Sequence, residues 1–204
     1  MQTLKPELRE RVVRAAEAVF LEDGYQGATM AAIAARAGVS TGNLYRYFES
    51  KDALFYTVFP DDLAETLLRL VRKRVRSLVV SDDLGALGSE ARDDAAALLG
   101  FWVEHRAQVI VLLSRAEGSR FESVRERFVD ALVRPTVSKL RADAGRPLSH
   151  AERMVVTNIF ENTVRAVVSI LEHGRSGEEI ERAFAGFWSY QLAGLAGFTR
   201  WVTS

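Results

Sequence analysis

The sequence predicts an all-α fold of nine or so helices. Three observations carry that prediction. Apolar residues recur at helical spacing along nearly the whole chain, and no stretch alternates in the manner of a strand. Helix-start signatures of the form Ser-x-x-Glu stand at Ser119–Glu122, Ser149–Glu152 and Ser176–Glu179. Glycines or Gly-Pro turns (Gly24, Gly38, Gly118, Gly145-Arg146-Pro147, Gly174) follow the apolar stretches where helices should stop.

Composition bounds the rest. With 204 residues, 48% hydrophobic and 26% charged, the chain can bury the core of one larger or two small domains. It has no cysteine, which excludes disulfides and thiolate zinc sites. The start, MQTLKPELRERVVR, lacks the apolar core of a signal peptide. No apolar run approaches the length of a bilayer span. A cytoplasmic location with no membrane partner is therefore expected. Basic and acidic residues balance at 27 each, so bulk charge gives no sign of a nucleic-acid partner.

In order, residues 6–23 read as a first helix. Pro6 suits its first turn, and Leu8, Val12, Ala15, Ala16, Val19 and Phe20 form its buried stripe. Lys5, Arg9 and Arg11 lie on its outer side. Residues 29–37 form a short second helix with Thr29 as N-cap and Gly38 beyond its end. Ser40 caps a third, in which Leu44 and Phe48, four apart, face the core. Ser50 opens a long element over 50–80 that Pro60 must interrupt. Arg69, Arg72, Lys73, Arg74 and Arg76 there are assigned to a solvated face or to pairing with acids elsewhere. Residues 81–89 read as a loop. Helices follow over 90–103 and 105–114, then from Ser119 to about Ala144 with Pro135 inside. The last two run from Ser149 to about Glu172 and from Ser176 to about Trp201.

The stretch Ala28–Lys51, ATMAAIAARAGVSTGNLYRYFESK, is the one with a chemical signature. With Leu44 and Phe48 turned inward, Thr41, Gly42, Asn43, Tyr45, Arg46 and Tyr47 are left for other faces. Such a short helix suits the major groove. Gly42 lets the backbone approach, Thr41 and Asn43 offer a hydroxyl and an amide to base edges, and Tyr45 and Tyr47 offer phenols to phosphates. Thr29 and Lys51 stand at two further helix starts, where side chain and backbone N–H hold phosphate together. Residues 1–51 carry seven basic side chains (Lys5, Arg9, Arg11, Arg14, Arg36, Arg46, Lys51) against six acids (Glu7, Glu10, Glu17, Glu22, Asp23, Glu49). Placement of groups, not net charge, must produce any affinity.

GVSTGNLYRYFESKDAL, preceded by TMAAIAARA, resembles the DNA-binding signature of the TetR family of transcriptional regulators. The resemblance covers roughly residues 8–56. Beyond them the chain is similar only in length and helical pattern. It implies an all-α homodimer with a helix-turn-helix domain over residues 1–50 and an effector-binding and dimerisation domain over 51–204. The partners it implies are a double-stranded DNA operator, a second copy and a largely apolar small-molecule effector. The family's DNA contacts fall on Thr29, Ser40, Thr41, Gly42, Asn43, Tyr45, Tyr47 and Lys51, and Arg46 adds one. A common variant has His where Tyr47 stands, and a phenol still donates to phosphate.

In the C-terminal part, the candidates for an effector pocket are Phe101, Trp102, Phe121 and Phe128 as aromatics. Asn158, Asn162, Arg165 and His105 are the polar candidates. The last two helices are apolar on more than one face, which suits an isologous four-helix interface or the centre of a monomeric bundle. Val155, Ile159, Phe184, Phe187, Trp188 and Leu195 are the candidate interface residues. Catalytic and metal motifs are lacking. His105, His150 and His173 are far apart, and no H-E-x-x-H, G-x-S-x-G or Walker pattern occurs. Neither enzyme activity nor a cofactor is expected. The leading expectation is a ligand-responsive repressor binding a palindromic operator. The alternative is a helical interaction or small-molecule-binding protein that has lost operator binding.

Overall fold

The computed structural model describes residues 6–79 and 89–204, and among them there are ten helices and no strand. They are α1 (Pro6–Gly27), α2 (Met30–Arg36), α3 (Thr41–Leu44), α4 (Lys51–Val58), α5 (Asp61–Val79), α6 (Ser89–Glu104), α7 (Arg106–Ser114), α8 (Val124–Ala144), α9 (His150–His173) and α10 (Gly177–Thr203). Lys5 and all but the last residue of the loop expected over 81–89 lie outside the described residues. Two compact units result: one runs to Glu65 and takes in His105–Val124, and the other holds Thr66–Glu104 and Arg125–Ser204.

Local chemistry sets most boundaries. Thr29, Ser40 and Ser50 accept from the backbone N–H of Ala32, Asn43 and Ala53 at 3.1, 3.2 and 3.0 Å, as N-caps do. Gly38 takes φ 65° beyond α2, a conformation that suits glycine. α1 is interrupted at Gly24, with φ 69° and ψ 176°, where the expected stop lies. The long element expected over 50–80 with an interruption at Pro60 is two helices, α4 and α5, that part there. One start is displaced. Ser119 does not cap a helix: its hydroxyl donates to Ala116 O at 2.7 Å and accepts from Phe121 N at 3.1 Å, and α8 begins only at Val124.

The first unit is built on α1, which packs against α2, α4 and α7. Its core contains Val12, Ala16, Phe20, Ile33, Leu44, Leu54, Phe55 and Phe59 together with Val109, Ile110 and Leu113 of α7. Rings cluster around Phe55, whose centroid lies 4.8 Å from Phe20, 4.8 Å from Tyr25, 4.5 Å from Phe59 and 6.3 Å from Phe121. Tyr25 N donates to Arg115 O at 2.9 Å, which ties the end of α1 to the end of α7.

In the second unit, α10 packs on α9 and α6. Trp102 of α6 sits 4.9 Å from Phe184 and 6.2 Å from Trp188 of α10. The basic run on α5 is not uniformly solvated. Arg74 is buried and donates to Ala91 O at 2.8 Å, while Lys73 lies 2.7 Å from the buried Asp94. Asp93 is exposed, but Asp94 belongs to the interior. Contrary to the expectation that no stretch approaches a bilayer span, α9 is long and apolar enough to cross a membrane on length and composition alone. Its charged residues include Glu161, paired with Arg125 at 2.6 Å.

The start of α9 carries a complete capping box. Ser149 Oγ accepts from Glu152 N, and Glu152 Oε2 accepts from Ser149 N at 2.6 Å. Arg146 donates both guanidinium nitrogens to Glu152 at 3.0 and 2.8 Å and reaches Val202 O at 3.1 Å, joining the start of α9 to the end of α10. The Arg146 guanidinium, with the Ser149 N–H, pulls the Glu152 carboxyl down from 4.5 to about 2. A carboxyl lowered on folding stabilises the fold above its unfolded value and ceases to as pH falls through its folded value. The wild-type melting temperature should therefore fall between about pH 4.5 and 2. Glu152→Gln, with no charge to titrate, should be less stable near neutrality and show a smaller fall. Parallel melting curves over that range would refute this assignment.

Candidate nucleic-acid interface and effector cavity

The candidate recognition element is shorter than its sequence suggests. α3 has four residues and continues as hydrogen-bonded turns, with Arg46 N donating to Asn43 O at 3.2 Å and Tyr47 N to Leu44 O at 2.9 Å. Two side chains anchor it: Leu44 is fully buried and Phe48 nearly so, with the Arg9 guanidinium 5.4 Å from the Phe48 ring centroid. The remaining residues face outward. Thr41, Gly42, Tyr45 and Arg46 are exposed, Asn43 and Tyr47 are half-buried, and Tyr45 keeps 51% of its surface. Thr29 and Ser40 are exposed as well. Each uses an oxygen lone pair as a helix cap, which leaves its hydroxyl hydrogen able to donate to a phosphate.

Lys51 is held in place by a residue that motif reasoning passes over. Its Nζ donates to Tyr25 O at 2.7 Å and lies 4.4 Å from the Tyr25 ring centroid. An ammonium has three donors, so two remain. The Tyr25 hydroxyl donates to Asp52, and that bond pushes the phenol up to about 12. Tyr25 thus orients both residues at the start of α4. The aromatic within helical reach of the α1 end is the signal that marks it. Arg36 contributes little positive field, since its guanidinium is bidentate on Glu22, one arm at 2.6 Å. The head offers hydroxyls, an amide and helix starts more than free cations.

The second unit contains a cavity of about 570 Å³. Trp102 and Phe128 line it, as do Phe160, Trp188, Leu195 and Phe198. Polar lining comes from Arg74, Thr136, Lys139, Asp143, Thr163, Gln191, Thr199 and Arg200. The structure does not bring the other candidates here. Phe121 lies in the first unit, 5.7 Å from Tyr56, with the Arg120 guanidinium over both rings. His105 is in the first unit too, near enough to Glu17 to oppose the upward push that burial gives that carboxyl. Asn158, Asn162 and Arg165 stand on the exposed side of α9, with Arg165 donating to Asn162 Oδ1 at 3.2 Å. Phe101 is half-buried on α6 and does not line the cavity. Sequence reasoning missed Thr163 and Gln191, bonded to each other at 2.8 Å across α9 and α10. Single polar residues within apolar faces were the available signal. Arg72 and Arg76 line a smaller cavity of about 350 Å³ with Arg127, Asp130 and Arg134.

Among the interface candidates, Phe184 is fully buried against Trp102 within its own chain and cannot reach a partner. Trp188 and Leu195 are half-buried and face the cavity. Phe187, Val155 and Ile159 are half-buried. The large apolar side chains left exposed on α9 and α10 are Met154, Tyr190 and Trp201.

Residues 12–58 match the family described as bacterial regulatory proteins, tetR family. The HTH-type transcriptional regulator UidR of Escherichia coli is 29% identical over 144 residues, which cover 68% of this chain and 73% of that protein. The HTH-type transcriptional repressor BepR of Brucella suis is 39% identical over 71 residues, covering 32% of this chain and 33% of that one. Among solved structures, the TetR family regulator PfmR from Thermus thermophilus is 16% identical, with 90% of this chain and 97% of that chain covered at a TM-score of 0.49.

Proposed function

We propose that this chain, whose residues 12–58 match the tetR family of bacterial regulatory proteins, is a ligand-responsive repressor. It binds a palindromic operator as a homodimer and releases it on taking up a small molecule in the 570 Å³ cavity. The observation that carries the reading is the outward face of α3. Thr41, Gly42 and Tyr45 stand exposed on an element whose only buried anchors are Leu44 and Phe48. A merely structural helix has no use for that arrangement. Thr41, Gly42 and Asn43 approach base edges, and Thr29, Ser40, Tyr45, Arg46, Tyr47 and Lys51 hold phosphates.

With few free cations, one head binds weakly, and affinity requires two heads on half-sites about one helical turn apart. Met154, Tyr190 and Trp201, with Val155 and Ile159 beside them, supply the apolar surface for an isologous contact between two copies. The effector acts by population shift, binding better to conformers whose heads do not match the half-site spacing. α5 leaves the first unit at Glu65, and its later turns bring Val71, Arg74 and Val75 to the cavity wall.

The test is a band-shift titration of the folded dimer against a palindromic site upstream of its own gene. A specific complex is expected, with log affinity falling by about 0.9 per neutralised phosphate for each unit of log salt, from a small number of phosphates. A folded dimer that forms no specific complex at moderate salt would favour the alternative, a small-molecule-binding protein without an operator.

A further inference from the structure

We infer that the cavity of the second unit takes an apolar molecule bearing a carboxylate-class oxyanion, an inference that rests on its assignment as the effector site. Two independent features converge. The first is charge. Arg74, Lys139 and Arg200 line the cavity against a single acid, Asp143, and that acid already has Lys139 Nζ at 3.3 Å. A cationic ligand would enter among three lining cations, with the one lining carboxylate already paired. An anion finds donors: Arg74 commits one nitrogen to Ala91 O and keeps the rest of its fork.

The second feature is an orphaned donor. Trp102 lines the cavity and is 1% exposed, and its indole Nε1 has no hydrogen-bond partner among the described residues. An indole N–H can only donate, and a buried donor without a partner requires an explanation. A ligand oxygen supplies it. No hydroxyl of the wall accepts from it. The rest of the wall is aromatic and aliphatic, with Trp188, Phe128 and Phe160 prominent, so the body of the ligand is apolar.

The experiment titrates the full-length protein with dodecanoate, dodecanol and dodecylamine, each below its aggregation concentration, by tryptophan fluorescence in a Trp201→Phe background, so that Trp102 and Trp188 report. Dodecanoate should bind about tenfold more tightly than the alcohol or the amine. Lys139→Ala and Arg200→Ala, both at the cavity rim, should each reduce that preference for the carboxylate, read as the ratio of dodecanoate to dodecanol affinity. A general loss of structure would weaken all three probes together and would not alter the ratio. Equal or tighter binding of the amine or alcohol, or no binding of any probe, overturns the inference. Dodecanoate that binds with the expected selectivity but fails to release a preformed operator complex upholds the anion site and overturns the effector reading instead.

Discussion

Gly42→Leu should leave the free protein as stable as wild type and remove specific operator binding. A Cβ built at Gly42 meets no atom within 4 Å. The residue is exposed and lies within α3, where leucine is favoured over glycine by up to about 1 kcal/mol. Nothing in the isolated chain opposes the larger side chain. In the proposed complex it would stand between the backbone of α3 and the base edges assigned to Thr41 and Asn43. The expected loss is about a hundredfold in operator affinity, or about 2.7 kcal/mol, with an unchanged melting curve. Normal binding by this variant would show that α3 does not approach the bases through Gly42.

Phe55→Ala should have the largest effect on stability. Phe55 is fully buried at the centre of the ring cluster, with partners from α1, α4 and the segment after α7. Truncating a buried phenylalanine costs about 3–5 kcal/mol, because a cavity remains where the ring stood. That is a large part of the stability of an ordinary domain. Denaturant unfolding followed through the first unit should show a lower midpoint, and operator binding should weaken with it. A loss below about 1 kcal/mol would mean that the cluster collapses around the gap and that its ring contacts matter little.

Elements governed by local chemistry were legible in the sequence. Thr29, Ser40, Ser50, Ser149 and Ser176 each cap the helix they were expected to cap. Pro60 separates two helices. Where the same residue types have a second local solution, the reading failed. Ser119 and Glu122 close a turn around Ala116–Phe121, with Glu122 accepting from Gly118 N at 3.3 Å, in place of a helix start. The outward face of α3 was also legible, since two inward residues four apart fix the phase of so short a helix.

The cavity was much less so. Which unit a helix joins depends on long-range packing, and no local signal says that His105–Val124 returns to the first unit while its neighbours do not. Phe121 accordingly lies in the first unit, away from the cavity. α9 has apolar residues on two sides, so sequence leaves its phase ambiguous: Thr163 lines the cavity, whereas Asn158, Asn162 and Arg165 are exposed. Phe184 shows the same ambiguity on α10: an apolar stripe does not reveal whether its partner is the same chain or another.

The discontinuity of the first unit sets an order on its assembly at the ribosome. The residues proposed to face DNA are finished early, by Lys51, yet the core beneath them draws on Val109, Ile110, Leu113 and Phe121. Tyr25 cannot bond Arg115 O until that residue exists. A nascent chain cut off after α5 would present Phe55 and its neighbours to water with part of their cover missing. The head is thus completed only after α6 and α7 have been synthesised, and transplanting it onto another protein requires both segments of the chain.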